Sequence, residues 1–289
     1  MAVFNPQQLQ ELEQQAKRNR GHFSHEQLDE LQSQLSCDLD MLLKALLPVA
    51  ATFSQAPISH FNVGAVAFDK TTGSAYLGAN LEFSHQALSL VVHAEQSAIN
   101  NAWLHGAKEI SRMAISDAPC GYCRQFMNEL DKSAELAIML PTLNTSLAEL
   151  LPSAFGPQDL DNSQRLMASS TSHLDSLSHE ISDTLKVHLQ NAYAPYSGNL
   201  SAVEISTQSH GQFYGRYAEN AAYSPSLSPM QGALSQLALA GLKLDEIVIS
   251  AITLVETKGH ENQKAVADAV LQSYATDAKL THVLAEFNS

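Results

Sequence analysis

The stretch FNVGAVAFDKTTGSAYLGAN, residues 61–80, decides the fold class of this chain. Its first eight residues form a short apolar run that is typical of a buried strand, and residues 74–80 form a second run of the same kind. Between the two runs, DKTTG (69–73) has the composition of a turn. We therefore predict a β-hairpin that begins a sheet.

Helices and strands alternate after this hairpin. The pattern predicts a helix over 92–105, a strand over 112–116, a helix over 119–130 and a strand over 136–140. Such alternation indicates an α/β fold, with a mixed sheet and flanking helices. Before the hairpin, residues 6–50 carry leucines at helical spacing, which predicts a helical N-terminal segment.

The second half of the chain repeats the order hairpin, helix, strand, helix, strand. Val63 and Gly78 are 15 residues apart, and Leu200 and Gly215 are also 15 residues apart. We interpret this agreement as an internal duplication. The alternative is two α/β segments that are alike by chance.

Composition changes suggest where the parts of the chain begin and end. We predict a helical segment over 1–47, a first α/β domain over 48–155, a linker over 156–178 and a second α/β domain over 179–289. The linker prediction rests on a stretch that is rich in Ser, Asp, Gln and Asn.

Bulk properties restrict the possible partners and compartment. The 289 residues are 45% hydrophobic, and 16 basic against 30 acidic residues give a net charge of −14. This charge argues against binding to a nucleic-acid polymer or an anionic membrane. The three cysteines cannot form a disulfide framework for so long a chain, and we find neither a signal peptide nor a membrane span. We expect a cytoplasmic protein.

Three residues have the types and positions of metal ligands. Cys120 and Cys123 form a Pro-Cys-x-x-Cys motif at a predicted helix start, where both thiols lie on one helix face and the helix terminus favours thiolates. His93 lies 27 residues upstream, at the start of the preceding predicted helix. One histidine and two cysteines supply three ligands to a tetrahedral zinc and leave the fourth position for water.

Glu95 lies two residues after His93, close enough to carry protons between that water and a substrate without binding the metal.

Two other interpretations of the cysteine motif remain open. A Cys-x-x-Cys motif can be a redox pair, and a structural zinc would take a fourth protein ligand. The nearest candidates for that fourth ligand are His85, His105 and Cys37. Their distances along the chain from the other three ligands do not match a zinc-binding pattern.

The His-x-Glu and Pro-Cys-x-x-Cys motifs together are the signature of zinc deaminases. The stretches FNVGAVA, GANLEF, VVHAEQSAI, PCGYCRQFMNEL and LPSAFGPQDL resemble the cytidine deaminase family, and in particular its long, two-domain bacterial type. The resemblance covers nearly the whole chain. It implies zinc-dependent hydrolytic deamination of cytidine and 2′-deoxycytidine in pyrimidine salvage. It also implies that Zn²⁺ is bound by His93, Cys120 and Cys123, and that Glu95 is the proton shuttle.

The same resemblance implies a substrate site. Asn80 and Glu82 in GANLEF, with Leu81 between them, would hold the ribose hydroxyls. Phe61 would lie beside the base, and Phe155 would close over it. From the residues alone, the phenylalanines could equally be core residues and the GANLEF residues could belong to a turn.

The second half has lost the motif residues. Aligning PMQGALSQL with VVHAEQSAI puts Gln231 at the position of His93 and Ala233 at the position of Glu95. We therefore expect the second domain to lack a metal site.

One motif residue of the second half remains. No cysteine follows Cys123, but Glu219 in GRYAENAAY matches Glu82. The family resemblance implies a homodimer with one zinc per chain, in which the second domain helps to form the wall of the partner's active site.

Two other functions were weighed. A deaminase of nucleotides or of bases within RNA or DNA would bind phosphates, which the net charge of −14 and the lack of an Arg/Lys cluster near the motifs disfavour. A non-catalytic nucleoside-binding protein would have no use for Glu95.

Overall fold

A computed structural model of the chain describes residues 4–168, 176–177, 179–243, 245–274 and 277–286. The described residues form two sheets with flanking helices, and each sheet has both parallel and antiparallel strand pairs. This arrangement confirms the predicted α/β fold class. Within these ranges, no helix has the length and apolar character needed to cross a membrane.

The N-terminal segment is helical, as predicted. Its helices are α1 (Pro6–Arg18), α2 (His25–Leu35), α3 (Leu39–Ala45) and α4 (Leu47–Ala51). Asn5 and Ser24 begin α1 and α2 with capping boxes, which satisfy backbone N–H groups at each helix start. The buried leucines of these helices pack with Val66 and Leu77 on one face of the first sheet.

The first sheet contains the predicted hairpin. Its strands are β1 (His22–Phe23), β2 (Gly64–Asp69), β3 (Ser74–Ala79), β4 (Ile110–Ile115), β5 (Ala137–Met139) and β6 (Asn144–Ser146), in the order β1-β3-β2-β4-β5-β6. Helices α5 (Ala94–Leu104), α6 (Gly121–Met127) and α7 (Leu147–Leu150) belong to this half. In the hairpin, Ala65 pairs with Gly78.

The second sheet repeats this plan. Its strands are β7 (Ser176–Leu177), β8 (Ser201–Thr207), β9 (Gly211–Arg216), β10 (Ile249–Thr257) and β11 (Leu280–Glu286), in the order β7-β11-β10-β8-β9. Its helices are α8 (Asp183–Gln190), α9 (Pro229–Leu239) and α10 (Lys264–Leu271). Val203 pairs with Gly215 in the hairpin, as Ala65 pairs with Gly78 in the first half.

Two glycines fix how α5 and α9 correspond. A Cβ atom on Gly78 would overlap the carbonyl oxygen of Ala94, and a Cβ atom on Gly215 would overlap the carbonyl oxygen of Pro229. Each helix therefore crosses its hairpin where the strand has no side chain. Ala94 in the first half consequently corresponds to Pro229 in the second half.

The helix starts give the same correspondence. The N–H of His93 donates to Oε1 of Gln96, and the N–H of Ser228 donates to Oε1 of Gln231, both at 3.1 Å. The predicted alignment of Gln231 with His93 was therefore wrong: Gln231 corresponds to Gln96, and Ser228 corresponds to His93. The loop between hairpin and helix is two residues shorter in the second half, which the alignment from residue types did not take into account.

The two halves pack against each other through α5 and α9. The hydroxyls of Ser97 and Ser235 are 2.7 Å apart, and Nδ2 of Asn100 donates to the carbonyl oxygen of Gly232 at 3.2 Å. By the correspondence above, Ser97 matches Gly232 and Asn100 matches Ser235. The two contacts are therefore reciprocal, which indicates a pseudo-two-fold relation between the repeats.

Part of the predicted linker packs against the first half. Residues 157–160 form a short 3₁₀ helix, and Leu166 is buried where it bridges to Leu130. Of the remaining linker residues, 169–175 and 178 lie outside the described part of the chain.

Candidate metal and substrate site

His93 lies at the N-cap of α5. Its backbone is extended (φ −84°, ψ 154°), and its N–H is held by the side chain of Gln96. Gln96 in turn donates through Nε2 to the carbonyl oxygen of Pro225, in the second half, at 2.9 Å. The imidazole therefore extends from a helix start that is fixed on both sides.

The two cysteines lie at the start of α6. Cys120 is the N-cap residue, and Cys123 is the third residue of the helix. Sγ of Cys120 is 3.6 Å from Sγ of Cys123 and 3.6 Å from Nδ1 of His93. Around a tetrahedral zinc, two sulfurs are about 3.8 Å apart and a sulfur and a nitrogen about 3.5 Å apart, so these three donor atoms fit that metal.

Within the described ranges, this is the one group of three or more His, Cys, Asp or Glu residues that could hold a metal ion. The alternative fourth ligands His85, His105 and Cys37 are not part of it, and Nδ1 of His105 contacts the carbonyl oxygen of Asn101 instead. Among the described residues, three side chains could therefore bind a metal ion here, one fewer than a structural zinc site takes.

The charges at the site favour a bound cation. Hydrogen bonds with Cys123 and His93 lower the pKa of Cys120 to about 3. The contact with Cys120, together with burial, raises the pKa of Cys123, because a second thiolate beside the first is unfavourable. A divalent cation between the sulfurs would stabilise both as thiolates.

Glu95 lies in the first turn of α5, with only 4% of its surface exposed. Burial raises the pKa of its carboxyl above the ordinary value, partly offset by hydrogen bonds from its own backbone and from Cys123. A raised pKa makes the protonated form of a carboxyl group easier to reach, which suits a group that accepts a proton and then donates it.

One cavity connects the metal donors with most of the predicted substrate residues. It has a volume of about 260 Å³. Its lining includes Phe61, Asn80, Glu82, His93, Glu95 and Cys120. Three predicted site residues are not on its wall. Cys123 is buried, and Leu81 is also buried, where its backbone pairs with Val92.

Phe155 is the third residue outside this lining. Its side chain is 46% exposed, and its carbonyl oxygen accepts hydrogen bonds from Gln125 and Asn128 of the α6 region. Its predicted contact with the base stays a prediction.

Glu82 is held in a cradle of donors. Its Oε2 accepts the N–H groups of Ile58 at 2.8 Å and Ser59 at 3.0 Å, and its Oε1 accepts the Ser59 hydroxyl. Although burial raises the pKa of Glu82, the hydrogen bonds from Ser59 and Ile58 outweigh it and lower that pKa. The ionised carboxylate has about four lone-pair sites, so one remains for a substrate hydroxyl.

Asn80 organises the backbone beside this cradle. Its Oδ1 accepts the Ser54 hydroxyl at 2.6 Å and the N–H of Val63 at 2.9 Å, and its Nδ2 donates to the carbonyl oxygen of Phe61 at 2.9 Å. Asn80 therefore positions Phe61 and keeps one N–H of its amide for another partner.

Sequence reasoning missed two supporting residues. The first is Ser59, whose hydroxyl donates to Glu82. Its importance could have been inferred from the sequence, because Ala-Pro-x-Ser occurs in both halves, at 56–59 and at 194–197. Tyr122 lies between the two cysteines and stacks on His93, with ring centroids 5.0 Å apart. Nothing in the motif marked Tyr122.

The second half has other residues at the positions of His93 and Glu95. Ser228 has the position of His93, and Met230 has the position of Glu95. The prediction that Ala233 has the position of Glu95 was wrong by the same shift of three residues.

Comparison with known proteins agrees with this geometry. Two family models, both described as "Cytidine and deoxycytidylate deaminase zinc-binding region", match residues 38–139 and 147–279. A cytidine deaminase of Shewanella pealeana is 42% identical over 269 residues, which cover 92% of this chain and 90% of the relative. This chain belongs to the cytidine deaminase family. A second family member, from Proteus mirabilis, is 42% identical over 264 residues, covering 90% of this chain and 85% of the relative.

A crystal structure of a cytidine deaminase from Mycobacterium tuberculosis is 30% identical, covers 41% of this chain and 99% of its own, and has a TM-score of 0.38. Within the family match, the region 38–139 contains His93, Cys120 and Cys123. Zinc is therefore the cofactor of this deaminase.

Proposed function

We propose that this chain catalyses the zinc-dependent hydrolytic deamination of cytidine and 2′-deoxycytidine to uridine and 2′-deoxyuridine, with release of ammonia, in pyrimidine salvage. One observation carries the proposal. A single cavity has His93, Cys120 and Glu95 on its wall together with Glu82 and Asn80, so a metal centre and a polar sugar-binding group face the same space.

His93, Cys120 and Cys123 are the zinc ligands in this proposal, with Nδ1 as the donor atom of the histidine. Zinc, when bound, lowers the pKa of a water molecule enough to supply hydroxide near neutral pH. His93 and Cys120 lie on the cavity wall, so a water at the fourth position of a bound zinc would be within reach of a base in the cavity.

Glu95 is the catalytic acid and base. Its carboxylate would accept one proton from the attacking water and deliver it to N3 of cytosine. It would then accept the remaining proton of the hydroxyl group added at C4 and deliver it to the departing amino group, which leaves as ammonia. Its burial supports this role, because the raised pKa lets one carboxyl group act in both directions.

Glu82 and Asn80 hold the sugar hydroxyls, and Leu81 is the buried spacer that sets their separation. Phe61, which lines the cavity, lies beside the base, and Phe155 covers it. An ionised Glu82 and a net charge of −14 favour a neutral nucleoside over a nucleotide.

The assembly that we propose is a cytoplasmic homodimer with one zinc per chain. Two large apolar side chains are exposed, as expected for a surface that a partner covers: Phe61 on the cavity wall is 54% exposed, and Leu88, in the segment before His93, is 69% exposed. A light-scattering mass about twice that of one chain supports the dimer, and the mass of a single chain contradicts it.

The domain limits in this proposal are 1–47 for the helical segment, 48–155 for the catalytic domain, 156–178 for the linker and 179–289 for the degenerate deaminase-like domain. The reciprocal packing of α5 and α9 supports the division into two repeats.

The deciding experiment measures ammonia release from cytidine, 2′-deoxycytidine, CMP and adenosine. We expect release from the first two substrates only, and its loss after zinc is removed with a chelator. Preferential release from CMP would contradict the assignment of Glu82, and release from none of the four would contradict the proposed activity.

A further inference from the structure

The segment between β4 and α6 adds two residues to the wall of the catalytic cavity. These residues are Asp117 and Ala118, and they are followed by Pro119 and by Cys120, the N-cap residue of α6. The side chain of Ala118 is a methyl group. Of these two wall residues, therefore, only Asp117 has a side chain that can form a hydrogen bond with a ligand.

The carboxylate of Asp117 has almost no partner within the protein. The hydroxyl of Ser116 lies 3.3 Å from its Oδ2, which is longer than a usual hydrogen bond between two oxygens. Among the described residues, this carboxylate forms no other hydrogen bond and no ion pair. Its oxygens are therefore available to a molecule in the cavity.

The backbone on both sides of Asp117 is fixed. The N–H of Ser116 donates to the carbonyl oxygen of Gly64 in β2 at 3.0 Å, and the Ser116 hydroxyl oxygen accepts the N–H of Gly64 at 3.1 Å. On the other side, Nε of Arg124 donates to the carbonyl oxygen of Pro119 at 2.9 Å. These contacts hold the segment at the cavity without using the carboxylate of Asp117.

Asp117 belongs to the metal end of the cavity. It precedes the metal donor Cys120 by three residues, which span at most about 11 Å of extended chain. In the proposed reaction, water is added at C4 of cytosine, and C4 is also the atom that carries the amino group. A substrate placed for this reaction therefore has its amino group at the end of the cavity to which Asp117 belongs.

The carboxylate and the amino group are chemically complementary. An ionised carboxylate only accepts hydrogen bonds, and the amino group of cytosine has two N–H groups to donate. In the proposed function, the amine gains a proton as it leaves. A fixed negative group beside it stabilises the positive charge that develops there.

We propose that Asp117 is a specificity-determining residue, which accepts a hydrogen bond from the 4-amino group of the substrate and selects nucleosides in which that group is unsubstituted. This inference rests on the proposed function, because the position of C4 is taken from that reaction. A methyl group on the amine would replace one N–H donor and bring an apolar group toward the carboxylate.

The test compares the zinc-loaded Asp117→Ala variant with the unaltered protein. Two substrates are used, cytidine and N4-methylcytidine, together with one inhibitor, the pyrimidin-2-one ribonucleoside, which has hydrogen in place of the amino group. We expect kcat/KM for cytidine to fall about tenfold, as for loss of a hydrogen bond to a charged group. The inhibition constant of the pyrimidinone should be unchanged, and the preference for cytidine over N4-methylcytidine should decrease.

Two further variants make the comparison specific. Asp131→Ala also removes one exposed negative charge, outside the cavity wall, and should leave all three quantities unchanged. Zinc content is measured in each protein, because Asp117 is close to Cys120 in the chain. If Asp117→Ala has lost zinc, Asp117→Asn provides the test: it keeps the size and one carbonyl oxygen, so we expect a smaller fall in kcat/KM for cytidine and an unchanged inhibition constant.

The outcomes separate this inference from the proposed function. An unchanged kcat/KM for cytidine, or an equal loss for cytidine and for the inhibitor, would overturn the role of Asp117 and leave the proposed function standing. The second of these results would mean that Asp117 only shapes the cavity. No ammonia release from cytidine by the unaltered protein would instead contradict the proposed function, and this inference with it.

Discussion

The hydroxyl of Tyr122 donates a 2.6 Å hydrogen bond to the carbonyl oxygen of Ser224, while its ring stacks on His93. Tyr122 lies between Cys120 and Cys123, and Ser224 belongs to the second half of the chain. Gln96 makes a parallel contact to the neighbouring carbonyl oxygen of Pro225. The second half therefore supports the two helix starts that carry His93 and Cys120.

Removing the Tyr122 ring should weaken zinc binding. Groups that orient a metal ligand typically change metal affinity by about 10- to 100-fold, so we expect a loss of this size in Tyr122→Ala. Tyr122→Phe is the matched control, because it keeps the stacked ring and loses only the hydrogen bond to Ser224. Competition with a chromophoric chelator measures both affinities; equal zinc affinity in Tyr122→Ala and the unaltered protein would contradict the positioning role.

Removing the Ser59 hydroxyl should impair substrate binding and leave the metal in place. Ser59→Ala takes one donor from Glu82, and a hydrogen bond to a charged group contributes about 1.5–3 kcal/mol. We expect KM for cytidine to rise about tenfold, with zinc content unchanged. Ser33→Ala, which removes an exposed hydroxyl on α2, is the control. A normal KM in Ser59→Ala would show that the cradle does not support sugar binding.

The pH dependence of stability should include a contribution from His188. Burial, followed by the positive charge of Arg216, lowers its pKa to about 3 in the folded chain. The unfolded chain, with an ordinary histidine pKa of about 6.5, therefore binds the proton more tightly. The contribution of neutral His188 to the stability of the folded chain is complete above about pH 6.5 and is lost as the pH falls from there toward 3.

Urea denaturation at pH 7, 6 and 5 measures this effect. One proton contributes a slope of at most about 1.4 kcal/mol per pH unit. His188→Phe retains a ring to stack on Tyr214, as His188 does at 4.7 Å, and should show a flatter pH profile. Identical slopes for the two proteins would rule out His188 as the source.

Arg216 should be important for the packing of the two halves. It is 7% exposed, its guanidinium lies 4.1 Å from the centroid of the Trp103 ring, and it donates to the Trp103 carbonyl oxygen at the end of α5. We expect Arg216→Ala to lower the free energy of unfolding by about 2–4 kcal/mol, through lost packing and an unpaired carbonyl group. Arg18→Ala, at an exposed position of α1, is the control in the same urea titration, and an equal effect of both variants would contradict this role.

The sequence was a good guide wherever function requires fixed residue types. The hairpin, the clustering of His93 with the two cysteines and the correspondence of Glu219 with Glu82 could all be predicted, because each depends on local spacing or on a specific chemical group. Ser59 was missed because it acts on a residue 23 positions away, and only the folded backbone brings the two together.

The alignment of the two helices failed for a different reason. Residue types favoured pairing Gln231 with His93, but the close approach of each helix to Gly78 or Gly215 fixes the register and pairs Ser228 with His93. The loop between hairpin and helix differs in length by two residues between the halves, and a comparison of residue types does not reveal this difference. The exposure of Phe155 could not be predicted from the sequence either, because a phenylalanine in a motif can line a cavity or lie outside it.

The most direct test of the account is Glu95→Ala, with zinc content and turnover of cytidine measured on the same preparation. We expect one zinc per chain and a kcat lower by about 100- to 10,000-fold, because the residue carries protons and does not bind the metal. His93→Ala should instead lose the zinc as well. A Glu95→Ala protein with normal kcat, or an unaltered protein with two zinc ions per chain, would contradict the account.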